Sequence, residues 1–195
     1  MEQGLQFAGF IAFECKIRAD SGIVMRSLIE SDHRVSMLTG DALLTSLHVA
    51  KQVSICDKTK DTLTLYSGEV VLDPHSTTVQ QPSSSVEAAA VGPYWVRRNQ
   101  EGNEDRLPFS VETLPALGRQ YDLLTTEVEL LRVIGTAGEK SPVWNHVGHF
   151  KVFARMSPGG KASIIRAIQQ SNKDTHVLMC GDGGNDVGAL KQVSR

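Results

Sequence analysis

An apolar run, a glycine-rich acidic loop and the start of a helix follow one another in residues 175–191. Val177–Met179 are typical of a buried strand, the loop glycines allow a tight approach, and a helix is predicted to begin near Asp186. Open α/β sheets bind ligands where a strand ends and a helix begins. Mg²⁺ takes few carboxylates and keeps waters and phosphate oxygens, so Asp182 is the candidate metal ligand, supported by Asn185 and Asp186. Alone, the segment also fits a glycine-rich surface turn.

Thr39-Gly40-Asp41 lies in a second pattern of strand, loop and helix. The apolar residues between Leu43 and Val53 have helical spacing. A hydroxyl at position 39 and the unpaired backbone N–H groups of the helix start could together cradle a phosphate. The alternative interpretation is that Thr39 or Asp41 simply caps the helix.

Lys161 belongs to a third such pattern, in which the segment Val152–Pro158 leads into a helix with three isoleucines on one face. The lysine is predicted on the first helical turn. A cation is unfavourable at a helix N-terminus, so its presence suggests a bound anion opposite it. A solvated surface lysine is the alternative.

Taken together and in this order, the three patterns resemble the phosphorylation domain of P-type ATPases, in the haloacid dehalogenase superfamily. Thr39-Gly40-Asp41 resembles the phosphate-binding Thr-Gly-Asp of the family, Lys161 resembles its lysine, and residues 181–186 resemble its Gly-Asp-Gly-x-Asn-Asp magnesium loop. Residues 153–158 and 187–192 resemble the corresponding segments of the type V ATPases. The N-terminal sequence is similar to that of their endoplasmic-reticulum subgroup.

The resemblance implies an α/β fold class, a three-layer Rossmann-like haloacid dehalogenase fold. That fold would be incomplete, with the central nucleophile strand and the C-terminal strands missing from the chain. Residues 1–73 would form the first half of the phosphorylation-domain segment and residues 120–195 the second half, with the lysine and magnesium-loop motifs. Residues 74–119 would form a flexible insertion with a hairpin.

The resemblance also implies a mechanism, in which the γ-phosphoryl group of ATP passes to an aspartate and the aspartyl phosphate is then hydrolysed. Asp182 would hold Mg²⁺ as cofactor, while Lys161, Thr39 and Gly40 offset phosphoryl charge. Asn185 and Asp186 would orient the attacked group. The partners implied are ATP and the remaining domains of a parent ATPase, a transporter or dislocase of the endoplasmic reticulum membrane with this part on the cytosolic side.

The sequence departs from the family pattern at several positions. Ala42 stands where an Asn is usual, Glu127 replaces a usual Gly, and Gly159-Gly160 replace the polar residues that usually precede the lysine. Two glycines in a first helical turn loosen it by roughly a kcal/mol each, so the placing of Lys161 is expected to be less firm than usual.

No Asp-Lys-Thr-Gly-Thr-Leu-Thr heptad, the nucleophile motif of the family, occurs in the chain. The nearest match begins at Asp57, but it follows the Thr-Gly-Asp motif and lacks the glycine of the turn. Two alternatives to the ATPase-fragment reading therefore stay open: a stand-alone phosphatase that uses Asp57, and a non-catalytic remnant that binds Mg²⁺ or phosphate. The other expectation for Asp57 is a loop before a strand at residues 62–66.

Composition supports this class of protein. The chain has 195 residues, with 20 basic and 22 acidic side chains, a balance that argues against a nucleic-acid partner. It has no run of the roughly 20 apolar residues that a membrane span needs, so the chain itself is expected to be soluble. Its three cysteines lack metal-binding or disulfide spacing.

Several smaller predictions complete the reading. A buried strand is expected at Leu5–Cys15, and a core-facing helix after Asp20. Arg18 is a weak candidate for a nucleotide-linked residue, with a solvated arginine as the alternative. His146 and His149 could suggest zinc, but no cysteine or acidic partner stands at suitable spacing. Residues 94–110 are expected to form a hairpin in which Trp95 packs inside.

Overall fold

The computed structural model describes residues 6, 8–11, 16–68, 92–99, 101–171 and 174–193. Within these ranges the helices are α1 (Ser21–Glu30), α2 (Leu43–Gln52), α3 (Leu114–Gln120), α4 (Glu127–Ile134), α5 (Pro158–Ser171) and α6 (Val187–Val193). Short 3₁₀ turns occupy Val111–Thr113, Gly135–Lys140, Pro142–His149 and Gly184–Asp186. No helix in this part of the chain is long and apolar enough to cross a bilayer.

A mixed six-stranded sheet runs through the described residues in the order β1-β6-β5-β2-β3-β4. Its strands are β1 (Met37–Leu38), β2 (Thr62–Tyr66), β3 (Tyr94–Arg98), β4 (Glu104–Pro108), β5 (Asp122–Thr126) and β6 (Phe150–Ala154). β1, β6, β5 and β2 pair in parallel, and the β3–β4 hairpin extends the sheet antiparallel to β2. The α/β class is confirmed, and the order is consistent with a Rossmann-like fold.

Neighbouring residues of one strand belong to two different groups of buried side chains, which places a core on each face of the sheet. Val152 packs with residues of α2, whereas Phe153 packs with residues of α4 and α5. Leu124 and Leu123 of β5 divide in the same way. Parallel strands covered on both faces are expected to be this apolar.

The hairpin predicted for residues 94–110 is confirmed by the register of β3 and β4, from Tyr94 opposite Pro108 to Arg98 opposite Glu104. Trp95 is fully buried in the larger core and packs on Phe109 and Phe150, as expected. The strand at residues 62–66 is confirmed too. Residues 74–91 and 100 of the predicted flexible insertion lie outside the described residues.

The strand predicted at Val177–Met179 is not formed. Residues 175–180 carry no regular structure, and the side chain of Leu178 is 84% exposed. A strand needs a neighbour to satisfy its backbone N–H and C=O groups. Among the described strands β1 is at the sheet edge and pairs only with β6, so residues 175–180 have no partner there.

Two N-terminal predictions also fail in part. Of the strand expected at Leu5–Cys15, residues 5, 7 and 12–15 lie outside the described residues, and the others form no strand. Phe10 and Ile11 in that stretch are exposed. The helix after Asp20 forms as α1 and Met25 packs against the core on the α2 face of the sheet, but no residue of the helix is fully buried, Ile23 and Val24 are exposed, and Asp20 makes no side-chain cap.

Candidate functional site

The loops that follow β1 and β6 are joined by backbone hydrogen bonds. The N–H of Thr39 donates to the carbonyl of Phe153 at 3.0 Å, and the N–H of Met156 donates to the carbonyl of Thr39 at 2.9 Å. The N–H of Arg155 donates to the carbonyl of Asp41, also at 2.9 Å. Because β1 and β6 are parallel neighbours, both loops emerge at the same edge of the sheet. We call this the carboxyl edge.

The hydroxyl of Thr39 organises its own loop. It accepts the N–H of Asp41 at 3.1 Å and donates to the carboxylate of the same residue at 3.1 Å. The residue before α2 is Ala42, which provides no side-chain cap, so neither Thr39 nor Asp41 caps the helix. The alternative of a simple helix cap is therefore wrong, and Gly40 and Asp41 remain exposed at the helix entrance.

Lys161 and Asp186 form a buried ion pair at the carboxyl edge. The ammonium nitrogen lies 2.6 Å from Oδ1 of the carboxylate, and the two side chains are only 4% and 10% exposed. Lys161 is in the first turn of α5, so the alternative of a solvated surface lysine is wrong. The hydrogen bond from Lys161 holds the pKa of Asp186 below its ordinary value, and the N–H of Gly183 adds to this effect.

Gly181 is required by the close approach of the buried Asp186 side chain, whereas Gly183 faces the tip of the exposed Asn185 side chain, which can move aside. A Cβ at position 181 would lie 2.7 Å from the Cγ of Asp186, and one at position 183 would lie 2.1 Å from the Oδ1 of Asn185. Gly184 has open space around it, so it is not required for the same reason. Asp182, between Gly181 and Gly183, is exposed to solvent.

The donor set at this loop suits a cation that keeps most of its water. The carboxylate of Asp186 is already paired with Lys161, which leaves the exposed carboxylate of Asp182 for a metal ion. The described residues contain no cluster of three or more His, Cys, Asp or Glu side chains able to hold a metal. Mg²⁺ is commonly bound by one or two carboxylates plus substrate phosphates, and the loop fits that pattern.

Asp57 lies opposite the carboxyl edge, at the end of the sheet where the parallel strands begin; we call this end the opposite edge. Its backbone N–H donates to the carboxylate of Asp122 at 2.7 Å, and Asp122 begins β5. The carboxyl edge is at the far end of that strand, about 13 Å away for a strand of this length. The side chain of Asp57 accepts the N–H and hydroxyl of Thr59, which lowers its pKa. Asp57 is a turn residue, as the loop interpretation expects.

The remaining candidates, Arg18, His146 and His149, make their contacts away from the carboxyl edge. Arg18 is an exposed residue whose guanidinium pairs with Asp20, 2.7 Å away. The rings of His146 and His149 stack with centroids 6.0 Å apart. Burial lowers the pKa of His149, and the charge of Arg34 adds to this effect.

Glu127 is a site-edge residue that motif reasoning did not select. Its carboxylate accepts the backbone N–H and the hydroxyl of Ser157, immediately before α5. The sequence offers one indication of this role. Glu127 stands where the family usually has a glycine, and Gly159-Gly160 stand where it usually has polar residues. Their spatial relation is not visible in the sequence.

No protein-family profile matches the chain. The chain is 34% identical over 195 residues, 99% of its length, to the "Probable manganese-transporting ATPase PDR2" of Arabidopsis thaliana. It is 34% identical over 193 residues to the endoplasmic reticulum transmembrane helix translocase spfA of Aspergillus fumigatus, and 32% over 195 residues to the translocase of that name in Saccharomyces cerevisiae. Nearly the whole chain aligns in each case, but it spans only 13–14% of the length of these relatives.

Proposed function

Because the homologues of this chain, at 28–34% identity over nearly its whole length, are P-type ATPases, we propose that it forms part of the catalytic domain of a type V P-type ATPase. In this proposal the carboxyl edge binds Mg²⁺ and the phosphoryl group while an aspartyl phosphate forms and is hydrolysed. The observation that carries the proposal is the buried Lys161–Asp186 pair beside the Thr39 loop.

Each part of the carboxyl edge has a role suited to its position. Lys161 carries three N–H donors, so it can keep its bond to Asp186 and still donate to a phosphoryl oxygen. Thr39 and Gly40 present a hydroxyl and backbone N–H groups at the start of α2. Asp182 would hold Mg²⁺, with Asn185 beside it. When bound, the metal neutralises charge on the phosphoryl oxygens.

The attacked aspartate would come from a strand outside this chain. Two observations support that placement. β1 is an edge strand of the described sheet, and residues 175–180 pair with no described strand. One strand between them would pair with both and bring its end to the carboxyl edge. The isolated chain would then bind ligands without turnover. Nothing in the structure favours a phosphatase that uses Asp57, at the other edge.

The activity of the parent protein belongs to the same proposal. The names of relatives refer to manganese transport, polyamine transport and translocation of transmembrane helices in the endoplasmic reticulum. We place the parent in the endoplasmic reticulum membrane as an ATP-driven transporter or dislocase, with this part on the cytosolic side.

Titration of the chain with Mg²⁺ in the presence of inorganic phosphate tests the binding site. We expect weak, Mg²⁺-dependent shifts of the amide signals of Gly181 and Gly183 in NMR spectra. Asp182→Ala should abolish these shifts, whereas Asp174→Ala, which removes an exposed carboxylate outside the loop, should not. Equal binding by the two variants would overturn the proposal.

A further inference from the structure

The first turn of α5 is capped by Ser157, the residue that precedes it. The hydroxyl oxygen of Ser157 accepts the N–H of Gly160 at 3.0 Å, the standard bond of a helix N-cap. The N–H of Lys161 donates to the carbonyl of Ser157 at 3.0 Å. The conformation of Ser157 therefore sets where α5 begins and where the backbone of Lys161 lies.

Ser157 is itself held by Glu127. One carboxylate oxygen accepts the Ser157 N–H at 2.5 Å, and the other accepts its hydroxyl at 2.7 Å. In an ordinary capping box the first of these bonds is made by a Glu or Gln three residues after the cap. That position is Gly160 here, so a carboxylate 30 residues earlier in the chain completes the box.

Glu127 and a side chain at position 160 exclude each other. A Cβ on Gly160 would lie 2.3 Å from Oε1 of Glu127 and 2.6 Å from its Cδ. The carboxylate thus occupies the space that a capping-box side chain at position 160 would use. It is also favourable electrostatically, because the N-terminus of α5 carries partial positive charge.

We propose that Glu127 is a positioning residue for Lys161. It fixes Ser157, Ser157 fixes the first turn of α5, and that turn aims the ammonium group at Asp186, 2.6 Å away. The inference rests on the proposed function in one respect only: that function is the reason why Lys161 needs a fixed position. The contact from Glu127 also explains how two glycines are tolerated next to Lys161. The carboxylate stabilises the first turn of α5 from outside the helix, which the two glycines do not do from within it.

The test measures the rate at which an amine-acylating reagent modifies Lys161 in the full chain, by mass spectrometry, without Mg²⁺ or phosphate. Lys51 on α2 serves as the internal reference. Glu127→Gly should raise the Lys161 rate relative to Lys51 by roughly fivefold to tenfold, the ratio that corresponds to losing a helix cap. The matched control is Glu129→Gly, which weakens α4 without touching Ser157 and should leave the ratio unchanged.

A swap of the two positions separates positioning from general stability. The double variant Glu127→Gly with Gly160→Glu rebuilds an ordinary capping box within α5 and should return the ratio to within about twofold of the parent chain. Gly160→Ala should raise the ratio when Glu127 is present, because it displaces the carboxylate, and should not raise it further in Glu127→Gly. These outcomes support the proposal.

Three outcomes would overturn it: no change in Glu127→Gly, no recovery in the swap, or a rise that Glu129→Gly reproduces. None of these measurements involves a ligand. The proposed function could therefore fail in the Mg²⁺ titration while the positioning by Glu127 holds, and the reverse result is equally recognisable.

Discussion

The two edges of the parallel part of the sheet both carry aspartates, but they use them differently. At the carboxyl edge Asp186 pairs with a buried lysine, and Asp182 is exposed between Gly181 and Gly183. At the opposite edge the carboxylate of Asp122 accepts the backbone N–H of Asp57, whose own carboxylate holds Thr59. These two carboxylates of the opposite edge are committed to holding a loop.

The difference indicates which features support the proposed phosphoryl site. The sequence around Asp57 is closer to a nucleophile motif than any other segment, yet its carboxylate is bonded to Thr59 and its backbone N–H to Asp122, and the element that follows is β2, not a helix. The charges of Lys60 and Lys51 act on this carboxylate without organising a phosphate-binding helix start beside it. The carboxyl edge combines a cation, a helix start and an exposed carboxylate. Position at the ends of parallel strands therefore outweighs local similarity to a motif.

Removing the lysine is expected to have the largest effect on stability. Lys161→Met leaves the carboxylate of Asp186 buried without its cation, which should lower the free energy of unfolding by about 3 kcal/mol. Urea unfolding measures this loss, and Lys191→Met on α6 is the control. A loss equal to that of the control would mean that the ion pair does not organise the carboxyl edge.

The cysteines distinguish the edges chemically. Cys56, at the Asp57 edge, is buried, and burial together with the charge of Asp122 raises its pKa to about 12. Cys180, before the acidic loop, is exposed. At pH 8 iodoacetamide should label Cys180 about a hundredfold faster than Cys56, because the thiolate is the reactive form. Mass spectrometry of the labelled peptides gives the ratio, and comparable rates would show that the Asp57 edge is open to solvent.

The two buried aspartates should give pH dependences of opposite sign. The pKa of Asp186 is lowered by Lys161, so its contribution is present above the unfolded-state pKa of about 3.9 and is lost as pH falls through the folded-state value. The pKa of Asp122 is raised by burial, so its contribution is lost as pH rises above about 3.9 toward the raised value.

Asparagine variants measure this difference. At pH 7 Asp186→Asn should lower the free energy of unfolding by about 2 kcal/mol, because it leaves Lys161 buried without a countercharge. Asp122→Asn keeps an oxygen for the Asp57 N–H and should leave the free energy unchanged or slightly higher. Urea unfolding from about pH 2 to pH 7 covers the windows of both aspartates, and a pH dependence of the same sign at the two positions would refute the comparison.

The smallest effect is expected at Asp57. Asp57→Ala removes the side-chain bonds to Thr59 and should cost about 1 kcal/mol, the usual worth of such a bond. It should leave the Mg²⁺-dependent shifts of Gly181 and Gly183 unaltered. If those shifts disappeared in calorimetrically folded Asp57→Ala, the edges would be coupled.

Local patterns were sufficient for much of the fold. Alternation predicted β2 and the β3–β4 hairpin, and helical spacing predicted α2 and α5. The same patterns failed where the outcome depends on a distant partner. Val177–Met179 have the composition of a strand, but no described neighbour pairs with them. In α1 only part of the apolar side finds a partner, since Met25 packs against the core whereas Ile23 and Val24 are exposed.

The candidate site divides in the same way. The Thr39 loop and the position of Lys161 on the first turn of α5 were predictable, because each lies in a continuous segment where a strand leads into a helix. The acidic loop was selected from its glycines and aspartates, although the strand predicted before it is not formed. The pairing of Lys161 with Asp186 and the cap from Glu127 were not predictable from spacing, because they join segments 25 and 30 residues apart through the packing of helices.

The most direct test supplies the strand that we propose lies between β1 and residues 175–180, and locates the phosphoryl group that is transferred. The chain is refolded with a peptide that carries an apolar strand followed by Asp-Lys-Thr-Gly-Thr-Leu-Thr, then incubated with Mg²⁺ and acetyl phosphate. Hydroxylamine-sensitive phosphate is located by mass spectrometry. We expect phosphate on the aspartate of the peptide and its loss in Asp182→Ala. Phosphate on Asp57, or no acyl phosphate on a peptide that demonstrably binds, would contradict it.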